Sequence, residues 1–281
     1  MQPAETTLMA GELSLAVRTW GEPGKPAIIA LHGWQDNAAT FDRLAPHFPD
    51  YFWVVPDLPG HGLSEHRGKG AEYSIWNYSV EVMAIADAFN LDTFVLVGHS
   101  MGGGIACLLA GLFPERVTRL VLLDVIGTIT TQPDQSLVQL RHAIEQRVGK
   151  SPRKAGVYTT REAAIEARAR KGITVEAAAL LGARGIAKNE EGYSWRHDQR
   201  LTRKTMVSLT DHQVAAHLGA IACPVLLLVS KEAVQREAVI RERAALVSNI
   251  RVVHLDGGHH QHLEEQAEVI AGLVSEFLAT A

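Results

Sequence analysis

The chain has 281 residues, of which 47% are hydrophobic and 21% charged, and its formal net charge is -4 at pH 7. This composition is typical of a soluble globular protein and gives no reason to expect nucleic acid as a partner. No apolar run approaches the roughly 20 residues of a membrane-spanning helix, so we expect no stable membrane insertion. With two cysteines and no leader-like N-terminal pattern, we expect a cytoplasmic protein without a disulfide framework.

Short apolar runs alternate with helical patterns in two blocks of the chain. Runs of this kind that end in Gly or Asp are typical of strands buried on both faces. Strands are predicted at 12–17, 27–31, 52–55, 94–97, 120–123, 225–229 and 251–255. Helices are predicted at 37–48, 73–89, 105–113, 236–247 and 264–278. The alternation predicts an α/β protein with a mostly parallel sheet covered by helices on both faces.

The segment 126–215 differs from the two blocks that flank it. It contains 15 Lys/Arg against 9 Asp/Glu, although the chain as a whole is acidic. No strand-like apolar run is evident, and short helices are predicted at 163–169 and 175–181. We interpret this segment as an inserted helical lid on a core formed by residues 1–125 and 216–281.

Residues 98–102 match G-x-S-x-G, with Ser100 at the centre. A predicted buried strand precedes the motif and a predicted buried helix follows it. In this context the motif indicates a sharp turn that presents a nucleophilic serine. A sharp strand-to-helix turn would expose the Ser100 hydroxyl, and the flanking glycines keep that turn free of side chains. No G-x-G-x-x-G pattern is present there, which disfavours a dinucleotide-binding loop.

A serine hydroxyl needs a base to become a useful nucleophile. Three histidines, His259, His260 and His262, follow the last predicted strand after two glycines. His259 is the first candidate for the base because it directly follows those glycines. A metal site formed by the three histidines is the alternative, but no carboxylate or cysteine stands nearby at a convincing ligand spacing.

Two acids compete for the role of orienting the histidine. Asp124 ends the strand after the nucleophile's helix, and Glu232 follows the next predicted strand. Both preserve the chain order of serine, acid and histidine. The residues alone leave this choice open.

An early His-Gly pair ends the predicted strand 27–31. It would place the backbone N–H of Trp34 opposite that of Met101, and the two would form an oxyanion hole. We expect His32, Gly33 and His99 to lie beside the substrate. Trp195, Tyr193 and Arg196 of the lid are further candidates for the pocket wall.

Four motifs together resemble the α/β-hydrolase superfamily: residues 32–34, 57–64, 98–103 and 258–259. Residues 32–38, 41–44 and 196–201 are similar, more narrowly, to the serine hydrolase-like proteins. The resemblance implies an eight-stranded core, a lid after the sixth strand, and Ser100 and His259 as nucleophile and base. Relatives with an aspartate nucleophile, the haloalkane dehalogenases and epoxide hydrolases, are excluded by Ser100.

The resemblance also bears on the acid. The usual superfamily aspartate follows the seventh core strand, and Ala233 stands at about that place here. Relatives that carry the acid after the sixth strand place it at the position of Asp124. The resemblance therefore favours Asp124, with Glu232 as the alternative.

These observations predict a serine hydrolase that cleaves a carboxylic ester, thioester or lactone through an acyl-enzyme, without a metal or organic cofactor. Its partner would be a small-molecule acyl substrate, and a homodimer is compatible with the sequence. An amide or C–C hydrolase is the alternative within the same fold. A non-catalytic ligand-binding protein is the alternative from another class.

Overall fold

A computed structural model describes residues 1–148 and 156–280; part of the predicted lid, 149–155, lies outside the described residues. The described residues contain ten strands, in chain order: β1 (Ala4–Ala10), β2 (Leu13–Trp20), β3 (Ala27–Leu31), β4 (Phe52–Pro56), β5 (Phe94–His99), β6 (Val117–Leu123), β7 (Ile186–Asn189), β8 (Gly192–Trp195), β9 (Val225–Ser230) and β10 (Ile250–Leu255). The α-helices are α1 (Ile75–Ala88), α2 (Met101–Leu112), α3 (Ser136–Glu145), α4 (Arg161–Ala169), α5 (Val175–Gly185), α6 (Asp211–Gly219), α7 (Glu237–Ala244) and α8 (Ala267–Ala279).

Eight strands form one sheet in the order β1-β2-β4-β3-β5-β6-β9-β10. The pairs from β4 to β10 are parallel, whereas β1 and β2 add an antiparallel edge. The predicted mostly parallel eight-stranded sheet is confirmed. Strand β1 is not predicted from the sequence, because it is an edge strand whose side chains are mostly exposed and it has no apolar run.

The sheet separates two layers of core. Alternate residues of β3 show this: Ile29 and Leu31 pack with α1 and α2, whereas Ile28 and Ala30 pack with α8 on the opposite face. Strands buried on both faces explain the continuous apolar runs in the sequence. The carboxyl ends of these strands, where ligands bind in open α/β sheets, carry the candidate site.

The segment 37–48 was predicted as one helix and is two short 3-10 turns, Ala38–Phe41 and Ala45–His47. Pro46 explains the difference, because a proline inside an α-helix lacks the N–H for the helical hydrogen bond and clashes with the preceding turn. The short turns still bury the predicted apolar face, including Phe41, Leu44 and Phe48.

The lid segment contains α3, α4 and α5 and also a hairpin of β7 and β8, which the sequence reading missed. The hairpin strands are short and only half-buried, so they carry no continuous apolar signal. The predicted lid boundary at residue 215 falls inside α6. Val214 and Leu218 of α6 pack into the same core as α2.

A buried ion pair joins the lid to the core. Arg184 of α5 donates to the carboxylate of Asp57 at 2.7 Å, and both side chains are almost fully buried. Asp57 also accepts the N–H groups of Ala38 and Leu63, each at 2.7 Å. The predicted turn 57–64 therefore fixes both the strand end and the base of the lid.

Candidate active site

Ser100 lies on the turn between β5 and α2, with φ 50° and ψ -117°. This is the left-handed side of backbone space, where a non-glycine residue is strained unless its surroundings hold it. Its N–H donates to the carbonyl of Leu123 at 3.3 Å. The strained turn leaves the serine half-buried at the amino end of α2, as the motif predicts.

The glycines around Ser100 have no room for a side chain. A Cβ at Gly98 would lie 2.5 Å from the Cα of Gly103, and a Cβ at Gly102 would overlap the carbonyl oxygen of Leu31. Both neighbours are backbone atoms, so neither can move aside without displacing a strand or helix. The glycine requirement inferred from the sequence therefore has a direct steric cause.

His259 and Asp124 are paired. Nδ1 of His259 lies 2.5 Å from Oδ2 of Asp124, although 135 residues separate them. The Asp124 side chain is fully buried, whereas that of His259 is 38% exposed. The His259 ring also packs on His99, the residue before Ser100, with ring centroids 4.7 Å apart. The histidine is thereby held beside the serine turn by its carboxylate partner.

Two further groups hold Asp124, and sequence reasoning found neither. The N–H of Ser230 donates to Oδ1 at 2.9 Å, and the guanidinium of Arg236 donates to Oδ2 at 2.6 Å. Burial raises the pKa of Asp124, but the hydrogen bonds from His259, Ser230 and Arg236 outweigh it and lower the pKa below 3.8. Asp124 is therefore ionised at neutral pH.

Glu232, the alternative acid, lies near the histidine loop but does not pair with it. Its side chain is exposed, and Oε2 would lie 3.3 Å from a Cβ built on Gly258. Within 1–148 and 156–280 its carboxylate accepts no hydrogen bond, and Nδ1 of His259 is already occupied by Asp124. The structure thus brings together Asp124 and His259 and leaves Glu232 aside.

Trp34 and Met101 are the two residues predicted to form an oxyanion hole. Met101 is the first residue of α2, so its N–H has no acceptor within the helix and lies at the positive end of the helix dipole. The Trp34 indole donates to the carbonyl of Leu201 at 3.2 Å, which holds the loop that carries Trp34. Both residues line the same cavity.

His32, Gly33 and His99, which we expect to lie beside the substrate, are all buried. His32 is fully buried, and both of its nitrogens are occupied: Nδ1 donates to the Gly33 carbonyl at 2.8 Å, and Nε2 accepts from the N–H of Leu58 at 2.9 Å. His99 is also fully buried. A Cβ at Gly33 would lie 2.9 Å from Nδ1 of His99. These residues shape the backbone around the site.

A buried polar cluster lies behind His259. Nε2 of His99 donates to the His259 carbonyl at 3.0 Å, and Nε2 of His260 lies 3.1 Å from Oδ2 of Asp36. Arg168 of α4 donates to the other oxygen of Asp36 at 2.7 Å. Burial raises the pKa of Asp36, but His260, His99 and Arg168 hold it well below its usual value. The cluster links the lid to the loop of the base.

Among the described residues, one group of three potential metal ligands has ligand atoms that all lie within 4.8 Å of one another. It consists of Asp36, His99 and His260. The metal site considered as an alternative consists of His259, His260 and His262, of which only His260 belongs to this group. In the structure His259 pairs with Asp124, and Nε2 of His262 pairs with Thr40 at 2.9 Å. A divalent cation on Asp36 would sit beside the Arg168 guanidinium, and this like-charge contact disfavours it.

Two cavities lie among the described residues near the lid segment. We call the first the Trp34 pocket; its volume is about 280 Å³, and its wall includes Trp34, Met101, Tyr73, Arg147, Arg200 and Arg203. The second, the Trp195 pocket, measures about 240 Å³ and is lined by Trp195, Arg168, Lys171, His197, Gln35 and Gln199, among others. Trp195 thus lines a cavity, whereas Tyr193 and Arg196 line neither of the two. A contact of Trp195 with the substrate stays a prediction.

Among the described helices, none is both long and apolar enough to cross a bilayer. Both cysteines, Cys107 and Cys223, are free and buried.

The comparisons with known proteins agree with the geometry. The family model for the alpha/beta hydrolase fold matches residues 26–266. A serine hydrolase-like protein of Danio rerio is 29% identical over 93% of this chain and 84% of its own length. A probable serine hydrolase of Drosophila melanogaster is 30% identical over 90% of this chain and 83% of its own.

Solved structures show the same fold. A hypothetical protein of Pseudomonas aeruginosa PAO1 has a TM-score of 0.94 and 36% identity, covering 98% of this chain and 99% of that one. The thioesterase domain from the curacin biosynthetic pathway has a TM-score of 0.86 at 22% identity, and the match covers 98% of this chain and 100% of that one. The chain belongs to the α/β-hydrolase family and is a serine hydrolase-like member of it.

Proposed function

We propose that the protein hydrolyses carboxylic esters or thioesters through an acyl-enzyme on Ser100. The observation that carries the proposal is the 2.5 Å pairing of His259 with the buried Asp124, next to a serine held at φ 50° on the amino end of α2. A histidine fixed by a buried carboxylate beside a serine is the arrangement that activates a hydroxyl.

In the first half of the reaction, His259 Nε2 takes the hydroxyl proton while Oγ of Ser100 bonds to the carbonyl carbon. The carbonyl oxygen becomes an oxyanion, which the N–H groups of Trp34 and Met101 stabilise. The bond to the leaving group then breaks, and His259 donates its proton to the departing oxygen or sulfur. Asp124 keeps the imidazole in the tautomer with Nδ1–H and stabilises the imidazolium, without itself taking the proton.

In the second half, His259 takes a proton from water, whose oxygen attacks the acyl carbon. The bond to Oγ breaks, and the proton on His259 returns to Ser100. The product is a carboxylic acid. The Trp34 pocket supports this function because Trp34 and Met101, the two residues proposed to supply the oxyanion donors, both line it.

A fluorophosphonate probe combined with short p-nitrophenyl esters tests the proposal. We expect covalent labelling of the purified protein, located at Ser100 by peptide mass spectrometry, and ester turnover that both Ser100→Ala and His259→Gln abolish. Thermal unfolding of the variants checks that they remain folded. Failure of the folded wild type to label at Ser100, together with no turnover of ester or thioester, would overturn the proposal in favour of a non-catalytic binding protein.

A further inference from the structure

The wall of the Trp34 pocket has more basic than acidic side chains. Three arginines, Arg147, Arg200 and Arg203, line it together with a single acid, Glu72. Two of them have acidic partners: Arg147 donates to Glu72 at 2.8 Å, and Arg200 donates to Asp198 at 2.6 Å. These two guanidinium groups are part of the lid's own packing.

Arg203 is different. Its side chain is half-buried in the pocket wall, and its guanidinium has no acceptor among residues 1–148 and 156–280. The sequence of 149–155 contains no Asp or Glu that could supply an acidic partner. A partly desolvated guanidinium facing a cavity is poised to bind an anion, since it offers a planar fork of donors.

The Trp195 pocket, on the other side of the 3-10 turn Gln199–Thr202, also has a basic wall. Arg168 and Lys171 line it, and no carboxylate is found among its described lining residues. Arg168 is already paired with Asp36 at 2.7 Å, which leaves Lys171 as the second cation of this wall. Burial, followed by the charges of Lys171 and Arg168, lowers the pKa of His197 to about 4. Part of the basic surplus of the segment 126–215 thus lines the two cavities.

We propose that the natural substrate is an ester or thioester whose acyl chain carries an anionic group, a carboxylate or a phosphate, and that Arg203 binds this group. The inference rests on the proposed function, because it places the scissile carbonyl at Trp34 and Met101. The apolar part of the acyl chain packs against Trp34, Ile75 and Tyr78, which line the same wall. Arg203 then determines which acyl chains are accepted.

Matched chromogenic esters test the charge preference. We compare p-nitrophenyl hydrogen adipate and p-nitrophenyl 5-phosphonopentanoate with the neutral methyl p-nitrophenyl adipate, after subtracting the rate of Ser100→Ala. We expect at least one anionic ester to exceed the neutral one in kcat/KM by about tenfold or more, mainly through a lower KM. The better of the two identifies the anionic group. The preference should shrink as salt is added, because ions screen the attraction.

Variants assign the preference to Arg203. Arg203→Gln should lower the ratio of anionic to neutral kcat/KM about tenfold, and Arg203→Lys should restore part of it. Arg141→Gln removes the same charge from α3, where the side chain is 82% exposed and lines neither pocket, and should leave the ratio unchanged.

The inference is overturned if the neutral ester is hydrolysed at least as well as both anionic ones, or if Arg203→Gln and Arg141→Gln change the ratio equally. Turnover of the neutral ester that depends on Ser100 would still support the proposed function in that case. Loss of all Ser100-dependent turnover would instead count against the proposed function.

Discussion

Oδ2 of Asp124 lies 2.5 Å from Nδ1 of His259. At the position where the superfamily usually carries the acid that pairs with this histidine, the chain has Ala233. The carboxylate that pairs with His259 thus follows β6 and not β9. Parallel pairing of β6 with β9 brings Asp124 beside Ser230, so the carboxylate still reaches the histidine loop. The two possible acid positions are neighbours at one sheet edge, which explains how either can serve one histidine.

The first prediction concerns this acid. Asp124→Asn should lower kcat for p-nitrophenyl esters by about 10³–10⁴, because the amide no longer holds the Nδ1–H tautomer. Glu232→Gln, the matched control, should stay within about threefold of the wild type, since its exposed carboxylate makes no hydrogen bond in the described chain. Steady-state kinetics of both variants provide the check, and a near-normal Asp124→Asn would contradict it.

The second prediction concerns the glycines of α2. Gly102→Ala should abolish soluble folded protein or activity, because its Cβ would overlap the Leu31 carbonyl oxygen. Gly104→Ala, two residues on, meets its nearest neighbour at 3.4 Å and should be tolerated. Ala is favoured over Gly within a helix by about 1 kcal/mol. Gly104→Ala should therefore change the free energy of unfolding by no more than about 1 kcal/mol. Soluble yield and melting temperature compare the pair, and equal tolerance would refute the steric argument.

The third prediction concerns the lid contact between Arg168 and Asp36. Arg168→Leu leaves the Asp36 carboxylate buried without its guanidinium partner and should cost about 3–5 kcal/mol. The double variant Asp36→Asn/Arg168→Leu should cost less than the sum of the single variants. Because Asp36 also holds His260 and approaches His99, kcat should fall in Arg168→Leu.

Denaturant unfolding of the single and double variants measures this coupling. Arg141→Leu is the control, since its pair with Glu145 on α3 is exposed and is worth about 0–0.5 kcal/mol. If Arg168→Leu destabilises no more than Arg141→Leu, the buried pair does not hold the lid.

The fourth prediction concerns acid stability. Burial lowers the pKa of five histidines below 6.5, and that of His99 and of His197 to about 4; the others are His32, His61 and His262. The unfolded chain therefore binds protons at these histidines from about pH 6.5 downward, whereas His99 and His197 of the folded chain do so only from about pH 4. The free energy of unfolding must then fall as pH drops from about 6.5 to 4, by about 1.4 kcal/mol per pH unit for each of these two histidines. The lowered pKa values of His32, His61 and His262 act in the same direction.

Below this window the carboxylates add to the loss, because the pKa of Asp36 and that of Asp124 are lowered in the folded state. Urea unfolding at pH 7.5, 5.5 and 4.5 measures the slope. Calorimetry at pH 5.5 in buffers of different ionisation enthalpy should show net proton uptake on unfolding. Constant stability across this range, or proton release, would disprove the prediction.

The sequence determined the parts of this protein that depend on local order. Continuous apolar runs ending in Gly or Asp predicted the parallel strands, because a strand buried on both faces must be apolar throughout. The G-x-S-x-G context predicted the turn at Ser100, because only glycines fit where backbones meet. These signals lie within a few residues of one another, so one sequence is enough to read them.

The tertiary structure decided what depends on distant segments meeting. The choice of Asp124 over Glu232 follows from the pairing of β6 with β9 and from a histidine 135 residues away. Arg236 at Asp124 and Arg168 at Asp36 carry no local pattern, because their partners lie 112 and 132 residues distant. The burial of His32 and His99 could not be predicted either, because no local sequence pattern distinguishes a buried histidine from one that faces a substrate. Only the folded chain shows which neighbours satisfy its nitrogens.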